Sequence, residues 1–135
     1  MTPEASVLHV GLADFVEPTL LLLGDAQSLS WLADQIDSRQ QLDFADSPNV
    51  MNKTDVHLYV RPTEQTGRLT QQANVFDWEI SAIEAPKFAQ QLRELAASAS
   101  PAHTYLDPES NVAGIEVIAS MGEYDGSKVF VSRDK

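Results

Sequence analysis

Apolar residues along this chain fall into short continuous or alternating runs and into stripes that recur every three to four residues. Val7–Ala13 reads as a strand around His9. Pro18 opens Thr19–Leu23, a continuous apolar run that suits a strand buried on both faces or a short core helix. Gly24 breaks the run and Asp25 is a good N-cap. Leu29, Leu32, Ala33 and Ile36 then form the inward stripe of a helix over Ala26–Arg39, with Asp34 and Asp37 turned to water. Gln40–Lys53, rich in Asp, Asn and Pro, reads as a long loop. Asp55–Arg61 is a strand ended by Pro62, Gly67–Gln72 a weaker strand, and Val75–Ile80 an alternating, half-buried one. Ser81 and Glu84 match a capping box, and Ala85, Phe88, Ala89, Leu92, Leu95 and Ala96 form a second helical stripe that ends near Pro101. Ala102–Asp107 is a strand, Pro108–Asn111 a turn, Val112–Ser120 a strand with a bulge at Gly114, and Lys128–Ser132 a final strand.

The two halves resemble each other. Shifting the first by 56 residues lays Leu20 on Phe76, Leu22 on Trp78, the cap Asp25 on Ser81, and Leu29, Leu32, Ala33 and Ile36 on Ala85, Phe88, Ala89 and Leu92. Past the helices the shift becomes 46, and His57-Leu-Tyr-Val60 lies on His103-Thr-Tyr-Leu106. Repeats of this kind change the fold expected. The reading is a single α+β domain over residues 1–135, with an internal duplication spanning 18–72 and 75–121. Two βαββ-like units would form one largely antiparallel sheet, with two amphipathic helices on one face.

Composition narrows the function classes. Lys and Arg number 9 against 20 Asp and Glu, a formal charge of −11. A nucleic-acid binder places basic side chains on phosphates, and here they are few and scattered. The same field attracts a basic partner. With no cysteine, disulfides, thiolate metal sites and cysteine nucleophiles are excluded. The N-terminus lacks a signal-peptide pattern, and the longest aliphatic run, Leu20–Leu23, is far too short for a membrane span. A cytoplasmic protein is expected, with no cofactor, no nucleic acid and no membrane contact. A two-fold homodimer through the apolar runs is equally compatible with the sequence.

Two sets of residues carry candidate chemistry. Asp43, Asp46 and Asp55 flank the long loop and would form an acidic rim for a cationic partner, or simply solvate it. His57, Tyr59, His103 and Tyr105 lie two apart on strands, so each pair shares a face. If the strands were neighbours, two imidazoles and two phenols would converge on a ligand site with a general base. Such groups are also ordinary surface pairs of a sheet. No recognised metal spacing, nucleophile elbow or phosphate loop is present, and the carboxylate pairs Asp77/Glu79 and Glu123/Asp125 sit at surface-like positions.

Three segments carry a resemblance: Leu23-Gly-Asp-Ala-Gln-Ser-Leu-x-x-Leu-Ala33, Phe88-Ala-x-x-Leu-x-x-Leu-Ala96, and His103-Thr-Tyr-Leu-Asp107 followed by Ile115-Glu-Val-Ile118. They resemble the strand, helix, His-x-aromatic-aliphatic strand and strand of small bacterial proteins grouped as the Immunity protein 32 family, best over residues 75–120 and less over 18–61. The resemblance implies an α+β fold and a non-enzymatic antitoxin of a polymorphic toxin system, with no catalytic residue to carry over. The expectation is therefore an acidic protein-binding domain, with a small ligand-binding or enzymatic domain using the His and Tyr pairs as the alternative.

Overall fold

Nine of the twelve elements among the described residues follow the apolar pattern, and three short strands fall in segments read as loop or turn. The computed structural model describes residues 8–14, 18–44, 50–52 and 56–122. In chain order these are β1 (Leu8–Asp14), β2 (Pro18–Leu23), α1 (Ala26–Asp37), β3 (Leu42–Asp43), β4 (Val50–Asn52), β5 (His57–Thr63), β6 (Arg68–Gln72), β7 (Val75–Ser81), α2 (Glu84–Ala96), β8 (Ala102–Tyr105), β9 (Ser110–Asn111) and β10 (Glu116–Met121). The expected final strand at Lys128–Ser132 lies outside the described residues.

The α+β class holds, but the single antiparallel sheet does not. There are two five-stranded sheets, ordered β4-β1-β2-β10-β8 and β3-β5-β7-β6-β9. Both are mixed: β1/β2, β8/β10, β3/β5 and β6/β7 are antiparallel, whereas β1/β4, β2/β10, β5/β7 and β6/β9 are parallel. The reason lies in the helices. Each carries the chain out of one sheet and into the other, so the strands on either side of a helix are not neighbours.

The two sheets share one plan. Read from the other end, the second sheet is β9-β6-β7-β5-β3, and each strand then stands where its counterpart five strands away stands in the first. Each half is thus a ββαβββ unit, Leu8–Thr63 and Arg68–Met121. The helical part of this correspondence follows the shift of 56. Buried Ser28, Leu29, Leu32, Ala33 and Ile36 of α1 match buried Glu84, Ala85, Phe88, Ala89 and Leu92 of α2. The shift of 46 does not survive strand pairing. The His57 strand, β5, lies inside the second sheet, parallel to β7, and its positional counterpart is β10, not the His103 strand β8.

The last strand of each half is surrendered to the other half's sheet. β5 runs beside β7, and β10 runs beside β2. Inner-facing Leu20, Leu22, Leu58, Val60, Phe76, Trp78, Val117 and Ala119 join the helical stripes in one continuous core. Trp78 stacks at a tilt on Phe88 with ring centroids 5.6 Å apart. Each such side chain contributes about 1.5–3 kcal/mol by leaving water. The helices pack on each other, and Arg93 of α2 donates to Asp34 (2.8 Å) and Asp37 (3.3 Å) of α1. The hydrogen bond that Arg93 donates to Asp34 is the main reason its guanidinium is pushed above its usual value.

Pro62, expected to end its strand, sits inside β5. The His57 amide points toward the β7 side, donating to Asn74 O. By alternation the missing amide of Pro62 faces the β3 side, where β3 has already ended opposite Val60.

Both helix starts use a reciprocal cap. Ser28 N donates to Asp25 Oδ1 (2.9 Å) and Asp25 N to Ser28 Oγ (3.0 Å). Glu84 N donates to Ser81 Oγ (3.1 Å) and Ser81 N to Glu84 Oε1 (2.9 Å). Glu84 does more: it is only 3% exposed, and its Oε2 accepts from Glu109 N (2.8 Å). Gly67, the residue before β6, leaves the room for this carboxylate, since a Cβ there would stand 1.7 Å from Oε1. Glu84→Ala leaves two amides, the buried one of Ser81 and the partly buried one of Glu109, without acceptors and removes the cap. Urea unfolding should show a loss of about 2–4 kcal/mol. Gly67→Ala should also destabilise, but less in the Glu84→Ala background than alone. Strict additivity of the two substitutions would refute this packing relation.

Candidate functional site

Strand alternation sorts each sheet into an inner and an outer face. In the second sheet, β5 turns Leu58 and Val60 inward and His57, Tyr59 and Arg61 outward; β7 turns Phe76, Trp78 and Ile80 inward and Asp77 and Glu79 outward. Register completes the outer face. Asp43, Tyr59, Asp77 and Thr70 lie in one row across β3, β5, β7 and β6, and Arg61, Glu79 and Arg68 lie in the next.

Side chains on this face are fixed to one another. His57 Nε2 lies 2.9 Å from Asp43 Oδ1, and since a carboxylate only accepts, that nitrogen is the donor. The imidazole stacks on Tyr59 with centroids 4.5 Å apart and planes at 22°. Arg61 Nε donates to Asp77 Oδ1 at 3.0 Å, and its Nη2 reaches Asp77 Oδ2, a two-point grip on one carboxylate. That hydrogen bond, with the charge of Asp77, raises the Arg61 guanidinium above its usual value and holds it cationic at any physiological pH. The groups are half-buried: the side chains of Asp43 and Asp77 retain 29% and 31% of their exposure.

The sequence-based sites are redistributed. Asp43 does not stand free as a rim; it holds His57. Asp46 and Asp55 lie outside the described residues. His57 and Tyr59 come together as expected of one strand face, as do His103 and Tyr105, whose rings meet edge to face at 5.6 Å. The two pairs do not form one site, because β5 belongs to the second sheet and β8 is an edge of the first, paired with β10. Arg61 and Arg68 escape sequence reasoning, and Asp77 and Glu79 enter it only as surface carboxylates. Alternation already puts each on a strand face, but only the pairing of β5 and β6 with β7 brings them together.

The same positions on the first sheet are chemically opposite. Asp77 corresponds to Leu21, Glu79 to Leu23 and Tyr59 to Ile118, and those three residues, with Ala13, form a second buried apolar cluster on the outer face of that sheet. The centre of one outer face is thus apolar and buried, and the matching positions on the other are charged or aromatic and half-open.

Among the described residues no group of three or more His, Asp or Glu side chains is arranged to hold a metal. A cavity of about 10 Å³, lined by Ile36, Arg39, Val60 and Ile80 among others, has room for roughly one water. No helix among the described residues is long and apolar enough to cross a membrane. No protein-family model, no curated protein and no solved structure matches the chain.

Because the Arg61–Asp77 pair is half-exposed, solvent screens it despite its geometry. A double-mutant cycle with Arg61→Ala and Asp77→Ala, read by urea unfolding, should give a coupling below about 1 kcal/mol. A coupling of several kcal/mol would make the pair a foundation of the fold instead of a feature of its surface.

Proposed function

We propose that this chain is an acidic protein-binding domain that neutralises a basic partner, the role the family resemblance implies, and that the outer face of the second sheet is where the partner docks. The observation that carries this reading is the contrast between the two outer faces. Positions that bear Leu21, Leu23 and Ile118 on one sheet bear Asp77, Glu79 and Tyr59 on the other. Half-exposed ion pairs contribute little to stability, so folding alone does not account for the substitution of charge for a covered apolar face. An interface rewards such a face: complementary charge speeds encounter and fixes register, and an aromatic side chain among charges is a common binding anchor. A net charge of −11 gives the long-range field its sign.

Tagged protein, incubated with lysate of its source at low and moderate salt, should retain one near-stoichiometric basic protein, less at the higher salt. Asp43→Lys with Glu79→Lys should weaken that complex by on the order of a hundredfold while leaving the circular dichroism spectrum unchanged. A complex indifferent to both substitutions would overturn the assignment of this face.

A further inference from the structure

We infer that the chain is built as a two-fold dimer fused into one polypeptide, and that a second copy of this chain can replace either half. Sheet pairing carries the argument. β5 finds its parallel neighbour β7 only in the second half, and β10 finds β2 only in the first. The helices, one from each half, pack along each other. Contact between halves is therefore the interior of the protein. On the exposed side of the helix pair, Asp37 and Arg93, which correspond under the shift of 56, touch each other at 3.3 Å. Contact between a residue and its own counterpart is the mark of a two-fold axis.

One exposed segment, Glu64–Thr66 with the following Gly67, joins the halves. It runs from β5 to β6, which flank β7 on opposite sides. That span is two strand spacings, about 10 Å. Thr63 lies opposite Ser81 and Arg68 opposite Glu79, which adds a two-residue offset along the strands. Both ends are held: Arg39 Nη2 donates to Thr63 O (2.9 Å), and Gly67 N donates to Glu109 Oε1 (2.7 Å). Removing residues 64–66 leaves two links between Thr63 and Arg68, a reach of about 7 Å. Closure within one chain is then impossible, while closure between two chains has no such limit, because each half pairs with the complementary half of its neighbour.

Deletion of residues 64–66 should shift the folded species from 14.8 kDa to about twice that mass by light scattering, with the helix and sheet signature of the intact chain retained. A monomer with native circular dichroism overturns the inference. So does a chain that folds neither alone nor as a dimer. An independent measurement uses the intact fold: a protease site inserted between Glu64 and Gln65 is cut after folding. The two fragments should stay together at monomer mass. Unfolding and refolding a mixture of isotope-labelled and unlabelled cut protein should then yield hybrids with one labelled half. Separation of the fragments under native conditions, or refolding without hybrids, overturns the inference as well.

Discussion

Neither half of this protein can complete its own sheet, and the rest of the structure follows from that constraint. A β-strand left at an edge exposes amides and carbonyls that seek partners. Here β5 and β10 satisfy theirs by crossing to the opposite unit, each lying parallel to the strand that leads into that unit's helix. A parallel neighbour cannot be reached by a tight turn. Each helix makes one crossing, to β3 or to β8; the chain then returns through β4 or β9 and crosses again to reach β5 or β10, and the two helices pack on each other. Core, sheet order and helix pair are three consequences of one exchange.

Two units of the same plan cannot use identical side chains everywhere along their shared axis. In a dimer of separate chains, the position of Asp37 and Arg93 would bring a residue against a copy of itself, like charge against like. Within one polypeptide the two copies are free to differ, and an aspartate meets an arginine. The helix starts show the same freedom in volume. Gly24 leaves room for the small Ser28 with Leu8 close by, whereas Gly67, the counterpart of Leu8, makes space for the longer Glu84. A large residue beside a small one in one half becomes a small one beside a large one in the other, so both sites fill without strain.

Local features of this architecture were legible in the sequence because they obey local rules. Both helical stripes, the caps at Asp25 and at Ser81 with Glu84, and the alternation of Val75–Ile80 depend on neighbours a few residues away. The shift of 56 was readable for the same reason, since helix faces repeat residue by residue. The shift of 46 failed because His-x-Tyr-aliphatic describes how a strand's faces alternate and says nothing of which strand lies beside it. Pairing is set by contacts distant in the chain, and no spacing encodes it. The single sheet failed likewise: stripes show that each helix covers something, not that each leaves one sheet for another. Short strands such as β3 and β9 carry too few residues to show a period at all.

Candidate sites inherit this division. His57 and Tyr59 are two residues apart, and their shared face follows from strand geometry alone. What they face does not. Asp43 arrives through the pairing of β3 with β5, and Asp77 and Arg61 meet through the pairing of β5 with β7. A symmetric plan offered both sheets the same outer positions, and at those of Asp77, Glu79 and Tyr59 the first sheet carries Leu21, Leu23 and Ile118 instead. Had the charged residues served only to keep the protein in solution, any exposed site on helix or loop would have done as well. Their placement instead sets the His57–Asp43 hydrogen bond and the Arg61–Asp77 ion pair beside Tyr59 on the outer face of the second sheet. Under the docking role proposed for this face, a fixed arrangement of this kind is one that a partner can match.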